Sequence, residues 1–275
     1  MSCIKRRILE ILLLALCGSL QADVTITQLA NEGVILADGE IRIMIDGMVV
    51  DPYSIYGGLP PSAASQLQHA EGPFSAIDLA LVSHRHHDHN QPEHACQFLQ
   101  ASEQTRFKGA PQVLGLMREK CRQFVTASPR VEEIVADAEH HPVFQLGNAN
   151  VSVFPLSHGV RKYARIQNYG YLVEMGGVSV LHIGDAAMTA ADFDKAGLRD
   201  RHIDVALIPY WYFQPGPGEA MIREFLDAPY KIAVHIPPGE MAEVKGQLQE
   251  NYPNVTVLEN PLDMMRISAP RSNPP

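Results

Sequence analysis

The chain has 275 residues, which is enough for one large domain or two small ones with a substantial core. Hydrophobic residues make up 46% of it and charged residues 19%, a composition that excludes a wholly disordered protein. The formal net charge of −9 repels phosphate backbones, so we expect no nucleic-acid partner.

Residues 1–22 are typical of a secretory signal peptide. Three basic residues at 5–7 precede a short apolar run at 8–16, which is too short to span a bilayer. We place cleavage after Ala22 and therefore expect a periplasmic or secreted protein with no membrane-spanning segment in the mature chain. Two alternatives are lipid modification at Cys17, to which the surrounding residues are a poor match, and an uncleaved membrane anchor.

The first half of the mature chain is predicted to contain mainly strands and hairpins. Alternating or continuous apolar runs predict strands over 24–29, 33–37, 41–45, 77–83, 133–136 and 143–155. Asp38-Gly39 and Gly147-Asn148 are hairpin signals, and a Gly/Pro-rich loop covers 48–61. Helices are predicted over 92–101 and 112–125. They contain Cys96 and Cys121, which an oxidising compartment would allow either to pair or to remain as two free thiols.

The second half alternates strands with helices. Strands are predicted over 171–174, 178–183, 204–209, 231–235 and 255–258, and helices over 189–196, 218–227 and 239–250. Two β-sheets packed face to face, with helices outside them, accommodate both halves. We therefore expect one α/β domain over 23–265, followed by a Pro-rich, disordered tail over 266–275.

A dense group of histidines follows the apolar strand at 77–83. Four of the 12 histidines lie between His84 and His89, and Asp88 lies among them. Because His84 and His86 are two residues apart at a strand end, their side chains are expected to point to one side. Imidazole and carboxylate groups together suit zinc, iron or manganese. A His-rich disordered metal scavenger is a poorer explanation, because a buried strand and a helix flank the group.

The spacing His84-x-His86-x-Asp88-His89 resembles the signature of the metallo-β-lactamase superfamily. The further motifs of that family match in order at four positions, namely Asp46, His158, Asp185 and His235. The resemblance covers about residues 24–260 and is closest to the lactonase and phosphodiesterase-like branch. It implies a four-layer αββα sandwich of two mixed β-sheets flanked by helices.

The resemblance also implies a two-metal site with seven ligands. His84, His86 and His158 would hold one divalent ion. Asp88, His89 and His235 would hold the second, and Asp185 would bridge both. Zn²⁺ is the expected metal, with Mn²⁺ or iron as alternatives. Two such cations lower the pKa of a shared water toward about 7 and so provide a hydroxide nucleophile at neutral pH.

The implied reaction is hydrolysis of a small ester, lactone, thioester or phosphodiester. The presence of Asp185 favours this wider hydrolase group over the true β-lactamases. Asp88 is a candidate proton acceptor. His182 is a candidate catalytic acid, although a supporting or packing role is an equal alternative. Asp46 is expected to orient a metal-binding histidine, or else to be a turn carboxylate.

Several neighbouring residues are candidates for the substrate pocket. Arg161, Lys162 and Arg165, with Tyr163 and Asn168, could bind an anionic group, although a solvated basic loop is the alternative. The aromatic run at 210–213 is expected to shape a pocket or lid, since four consecutive side chains cannot all point inward. His87 lies within the motif but is not expected to be a ligand.

Two other functions compete with hydrolysis. One is an iron-dependent redox enzyme on the same fold, such as a thiol dioxygenase or a di-iron protein. The other is a metal-binding protein without catalytic activity. The complete set of seven expected ligands favours the hydrolase.

Overall fold

The computed structural model describes residues 23–159 and 161–269. The predicted signal peptide and Cys17 lie outside these residues, as do Val160, the side chain of Arg161 and the chain beyond Ala269. Within the described ranges, no helix is both long enough and apolar enough to cross a membrane.

The first sheet is built almost entirely from the first half of the chain. In order, this half contains β1 (Val24–Gln28), β2 (Val34–Ala37), β3 (Arg42–Ile45), α1 (Pro61–His69), β4 (Leu79–Val82), α2 (Pro92–Ala101), β5 (Arg106–Gly109), α3 (Pro111–Ala127) and β6 (Val131–Glu133).

The second half builds the second sheet. It contains β7 (Val143–Leu146), β8 (Ala149–Pro155), β9 (Tyr169–Met175), β10 (Val178–His182), α4 (Ala190–Lys195), β11 (Val205–Pro209), α5 (Gly218–Phe225), β12 (Tyr230–Val234), α6 (Met241–Asn251), β13 (Val255–Val257) and β14 (Met264–Ile267). The last strand, β14, returns to the first sheet and pairs antiparallel with β1.

The result is two mixed, seven-stranded sheets, as predicted. Their strand orders are β14-β1-β2-β3-β4-β5-β6 and β13-β12-β11-β10-β9-β8-β7. A large apolar cluster joins the two sheets and also includes residues of α1, α2 and α3. A second cluster packs α4, α5 and α6 against the second sheet. The four-layer αββα sandwich expected from the sequence is therefore confirmed.

The pairing directions bring the ends of six strands to equivalent edges. β1, β3 and β4 run in the same direction in the first sheet, because β2 is antiparallel to both of its neighbours and β3 is parallel to β4. β8, β10 and β12 likewise run in the same direction in the second sheet. The loops that follow these strands can therefore meet at one end of the sandwich.

Three elements were not predicted from the sequence. The helix α1 begins at Pro61, where the predicted loop ends. The short strand β5 contains Arg106 and Lys108, so its sequence lacks the apolar run that predicts a strand. Arg106 instead forms an ion pair with Glu132 of β6 at 2.7 Å. The strand β14 includes Arg266 and Ile267, two residues that we expected to lie in the disordered tail.

The structure contains the disulfide that the sequence left open. Cys96 in α2 is bonded to Cys121 in α3, with the two Cα atoms 6.2 Å apart. At Cys121 the backbone departs from helical geometry, so α3 is kinked at the bridge. The bond therefore fastens two neighbouring helices on the outer side of the first sheet.

Replacing both cysteines by serine should lower the free energy of unfolding by about 3.5 kcal/mol. The bridge closes a loop with a sequence separation of 25 residues, and opening that loop restores conformational entropy to the unfolded chain. Denaturant unfolding of the oxidised protein and of the double variant would measure the difference. A midpoint that is unchanged by the substitution would show that the bridge does not constrain the unfolded chain.

Candidate metal centre

The predicted ligands come together at the end of the sandwich where the six strands end. His84, His86, Asp88 and His89 lie in the segment between β4 and α2. His158 follows β8, Asp185 follows β10 and His235 follows β12. All seven side chains meet there, although residues 84 and 235 are far apart in the sequence.

Cluster one consists of His84, His86, His158 and Asp185. His86 Nδ1 lies 3.1 Å from His84 Nε2 and 3.0 Å from His158 Nε2. Asp185 Oδ2 lies 3.7 Å from His84 Nε2 and 3.4 Å from His158 Nε2. Neighbouring nitrogens around a tetrahedral ion with bonds of about 2.0 Å are about 3.3 Å apart. The four donor atoms are therefore spaced as the ligands of one metal ion would be.

Cluster two consists of Asp88, His89, His235 and Asp185. His89 Nε2 lies 3.1 Å from His235 Nε2, and Asp88 Oδ2 lies 3.3 Å from the latter. Asp185 Oδ1 lies 3.4 Å from His89 Nε2 and 3.3 Å from His235 Nε2. Asp185 thus directs one oxygen toward each cluster, which is the arrangement that a bridging ligand requires.

The donor set fits a pair of divalent cations. Five imidazoles and two carboxylates converge, and the carboxylate oxygen Asp185 Oδ1 is buried without a hydrogen-bond partner in the described part of the chain. A buried, unsatisfied carboxylate oxygen is costly unless a cation or a donor compensates it. Imidazole and carboxylate ligands together suit Zn²⁺, Mn²⁺ and Fe²⁺.

Asp46 contacts the ring of His89. The Oδ2 atom of Asp46 lies 2.8 Å from His89 Nδ1, and its Oδ1 accepts a hydrogen bond from the Ser83 amide at 2.7 Å. The Ser83 hydroxyl in turn lies 3.1 Å from His84 Nδ1. A carboxylate that holds the far nitrogen of a histidine fixes the ring and makes its other nitrogen a better ligand. The geometry is the one expected for Asp46 as an orienting residue.

Asn168 connects the two loops that carry His158 and Asp185. Its Oδ1 accepts a hydrogen bond from the Asp185 amide at 3.1 Å, and its Nδ2 donates to the carbonyls of Leu156 and Ile183. Gly184 is required beside it, because a Cβ there would lie 2.4 Å from Asn168 Oδ1 and the backbone φ is +54°. Asn168 is buried, so the prediction that it lines a substrate pocket is wrong.

Three non-glycine residues at this end of the sandwich adopt left-handed backbone conformations. They are Asn31, Asp46 and His235, with φ angles of 53°, 49° and 63°. Such conformations cost free energy in residues other than glycine and persist where the surroundings hold them in place. The loops after β1, β3 and β12 are therefore held in fixed shapes beside the clusters.

Burial and neighbouring charges shift the pKa values of three histidines in the two clusters. Burial, together with the nearby His158, lowers the pKa of His86 to about 4. Burial and the neighbouring His89 also lower the pKa of His84 well below its ordinary value. A neutral imidazole is the form that binds a metal. Burial alone would lower the pKa of His89 as well, but the Asp185 and Asp46 carboxylates outweigh it and raise that pKa.

The sequence did not point to Glu32, which the structure places beside cluster two. One of its carboxylate oxygens lies within 4.8 Å of the donor atoms of His89, Asp185 and His235. The side chain is fully buried, and burial raises its pKa well above the ordinary value. A single Glu before Gly33 in a hairpin carries no spacing signal, so only the fold could reveal it.

His182 does not line the open side of the centre. The ring is fully buried, with Nε2 3.2 Å from the Glu32 carbonyl oxygen and 4.0 Å from Asp46 Oδ2. Its Nδ1 accepts a hydrogen bond from the Gly184 amide at 3.2 Å. These contacts favour a supporting role over the role of a catalytic acid, because a substrate could not reach the ring. His87 is exposed and contacts the Asp51 carbonyl oxygen, as its non-ligand assignment predicts.

Aromatic rings surround the two clusters. Tyr56 and Trp211 stack edge-on against His235, with ring centroids 4.5 and 4.9 Å away, and Tyr163 packs against His86 at 4.9 Å. Within the aromatic run, Tyr212 and Phe213 are buried in the core. As expected, the four side chains of the run do not all point inward, and Trp211 packs against His235 instead. Lys162 is exposed, and its ammonium lies 4.5 Å from the ring of Tyr163.

A cavity of about 460 Å³ adjoins the centre beside Asn31 and His235. It is lined by the loop at 57–60, by residues 233–236 and by the turn at 258–261. Volumes of this size are typical of sites for small molecules. The cavity therefore lies next to cluster two and has the size of a small-molecule site.

Solved structures share this architecture at low sequence identity. The metallo-beta-lactamase fold protein YhfI from Bacillus subtilis is 14% identical, with a TM-score of 0.59 and coverage of 89% of this chain and 99% of that one. An isothiocyanate hydrolase from Delia radicum gut bacteria is 13% identical, with a TM-score of 0.62 and coverage of 89% and 100%. The diiron beta-hydroxylase CmlA from Streptomyces venezuelae is 15% identical, with a TM-score of 0.55 and coverage of 90% and 54%.

The sequence itself matches a family model. No curated protein matches the chain significantly. The model of the beta-lactamase superfamily domain, however, matches residues 47–257, which include all seven predicted ligands. The match covers most of the chain and agrees with the two-sheet architecture. The chain therefore belongs to the beta-lactamase superfamily and has the metallo-β-lactamase fold.

Proposed function

We propose that this protein is a hydrolase with two divalent metal ions that cleaves a small ester, lactone, thioester or phosphodiester. The observation that carries the proposal is the position of Asp185, whose two carboxylate oxygens face two separate groups of imidazoles. This arrangement supports the seven predicted ligands, namely His84, His86, Asp88, His89, His158, Asp185 and His235. Ions held in this way would supply a water of lowered pKa and positive charge for a developing oxyanion.

The protein's own groups would position the reactants and transfer the proton. Asn31 donates a hydrogen bond from Nδ2 to the backbone oxygen of Asp88 at 3.2 Å, and the same nitrogen lies 3.4 Å from Asp88 Oδ2. We assign the role of proton acceptor to Asp88, because its carboxylate is held at the edge of cluster two. His182 and Asp46 would act indirectly, by holding the elements that carry the ligands.

The surroundings of the centre support a small organic substrate. Tyr56, Tyr163 and Trp211 provide flat apolar faces beside the clusters, and the adjoining cavity has the volume of a small-molecule site. The exposed Lys162 next to Tyr163 could contact an anionic group on such a substrate. The imidazole-rich cluster one favours Zn²⁺ as its metal.

The disulfide supports a location outside the cytoplasm. Disulfides persist in oxidising compartments such as the periplasm and are rare in cytosolic proteins. The bond between Cys96 and Cys121 therefore supports the proposal of a periplasmic or secreted protein.

Metal analysis combined with a substrate panel tests the proposed function. Protein isolated from an oxidising compartment should contain two divalent ions and should hydrolyse at least one ester, lactone, thioester or phosphodiester. Removal of the metal by a chelator should abolish this activity, and added Zn²⁺ or Mn²⁺ should restore it. The redox alternative would instead be supported if iron co-purifies with the protein, the protein consumes oxygen while oxidising a thiol, and it hydrolyses none of the substrates.

His86→Ala should reduce the metal content by one ion and lower kcat/KM by at least about 100-fold, since the loss of a ligand should exceed the usual 10- to 100-fold effect of an orienting residue. The folded structure should remain, because His86 is only partly buried. Its exposed neighbour provides the control, and His87→Ala should retain both ions and the activity. Full turnover by the His86→Ala protein would exclude cluster one as a functional metal site.

Asp46→Asn should weaken metal binding by about 10- to 100-fold. The Asn amide cannot provide the negative charge that holds His89 Nδ1, so the Nε2 atom of His89 becomes a poorer ligand. Calorimetric titration of the metal-free protein with Zn²⁺ would measure the change. Asp51→Asn, at an exposed position near the centre, is the control and should bind as the wild type does. Equal affinities for Asp46→Asn and wild type would leave Asp46 with a purely structural role.

A further inference from the structure

Glu32 is the buried acidic residue that the proposed mechanism leaves without a role. Its side chain is fully buried, and neither carboxylate oxygen has a hydrogen-bond partner among the described residues. The nearest basic nitrogen is His182 Nε2, 3.5 Å from Oε1, and the same nitrogen lies closer to the Glu32 carbonyl oxygen at 3.2 Å. The carboxylate is therefore removed from water without adequate compensation from the protein.

The turn that carries Glu32 is held firmly. The Leu29 amide donates to the Gly33 carbonyl at 2.7 Å, and the Gly33 amide donates to the Ala30 carbonyl at 2.8 Å. A Cβ at Gly33 would lie 2.5 Å from the backbone oxygen of Asp46, so the turn packs directly against the end of β3. The position of the Glu32 side chain is thus set by the fold.

The Glu32 carboxylate faces cluster two. One of its oxygens and the donor atoms of His89, Asp185 and His235 all lie within 4.8 Å of one another. The buried Asp46 and Asp88 carboxylates lie in the same region and add negative charge rather than relieve it. Burial of an unpaired charge costs several kcal/mol, so the Glu32 carboxylate can be ionised in these surroundings only with a cation beside it.

We propose that Glu32 is an additional ligand of the metal ion in cluster two, an inference that rests on the two-metal site of the proposed function. Cluster two would then offer three carboxylates, from Glu32, Asp88 and Asp185, and two imidazoles. Cluster one offers three imidazoles and one carboxylate. Oxygen-rich sites favour Mn²⁺ or Fe²⁺ relative to Zn²⁺, whereas imidazole-rich sites suit Zn²⁺. The two positions would therefore prefer different metals.

The test is metal titration of Glu32→Gln, without substrate. Metal-free wild-type protein should bind two Mn²⁺ ions in a calorimetric titration, and Mn²⁺ electron paramagnetic resonance should show the coupling of two neighbouring ions. The amide of Glu32→Gln keeps the shape but loses the charge. The substitution should lower the affinity for the second Mn²⁺ ion by about 100-fold or more. It should also remove the coupled signal and have a smaller effect on the affinity for Zn²⁺.

Thermal unfolding separates metal ligation from a role in folding. Without metal, Glu32→Gln should unfold at about the same temperature as the wild type, because both side chains place polar atoms without hydrogen-bond partners at the same buried position. With Mn²⁺, the increase in Tm should be smaller than for the wild type, because bound metal stabilises only the folded protein. Glu32→Asp, which keeps a carboxylate on a shorter side chain, should recover part of the second-ion affinity.

Asp204→Asn is the matched control. Asp204 is also a buried carboxylate, but it accepts hydrogen bonds from the amide and hydroxyl of Ser179, away from both clusters. This variant should lose stability and keep wild-type metal binding. Unchanged second-ion affinity in Glu32→Gln, an equal loss in Asp204→Asn, or a single ion in the wild type would each overturn the proposal.

The outcome is independent of the hydrolysis assays. If no panel substrate is cleaved but Glu32→Gln loses the second Mn²⁺, the proposed function fails and the role of Glu32 stands. If the wild type hydrolyses a substrate and Glu32→Gln binds both ions normally, the hydrolase stands and the inference about Glu32 fails.

Discussion

The arrangement of this end of the molecule depends on one carboxylate shared between two groups of histidines. Asp185 lies at the end of β10 and directs Oδ2 toward cluster one and Oδ1 toward cluster two. The two oxygens of one carboxylate are close together, so the two clusters that they face must also be close to each other. Gly184 and Asn168 fix the Asp185 backbone, and this restricts where the other loops with predicted ligands can lie.

The two sheets provide the rigidity that such a site needs. The apolar cluster between the sheets holds β1, β3 and β4 against β8, β10 and β12, and the loops that border the two clusters of histidines leave from these strands. Catalytic and binding residues are commonly carried on loops that a packed scaffold positions. The left-handed conformations of Asn31, Asp46 and His235 are consistent with this, since the scaffold must compensate their cost.

The sequence predicted the local features of the site better than its long-range ones. The spacing of His84, His86 and His89 after an apolar strand indicates metal binding by itself. His158, Asp185 and His235 are single residues whose significance depends on the fold bringing them together, so only the family resemblance singled them out. Neither residue spacing nor the family motifs indicated Glu32, because it is a single acidic residue that no motif includes.

The errors in the secondary structure have a similar cause. β5 and β14 are short strands with charged residues, and each is defined by the neighbouring strand with which it pairs rather than by its own periodicity. For His182, three residues before Asp185, the sequence allows either a catalytic acid or a supporting residue. A strand brings alternate side chains to opposite faces, however, and no sequence pattern shows which face the neighbouring loops will cover.

The two clusters differ in chemical composition. Cluster one has three imidazoles, and its member His86 is partly exposed. In cluster two Asp88, His89 and His235 are buried, and the buried Asp46 and Glu32 add further acidic groups behind them. Like charges at this density are unfavourable in a medium of low polarity unless a cation balances them. Of the two clusters, cluster two would therefore attract a cation more strongly, and the shared Asp185 links its acidic groups to the imidazole-rich cluster one.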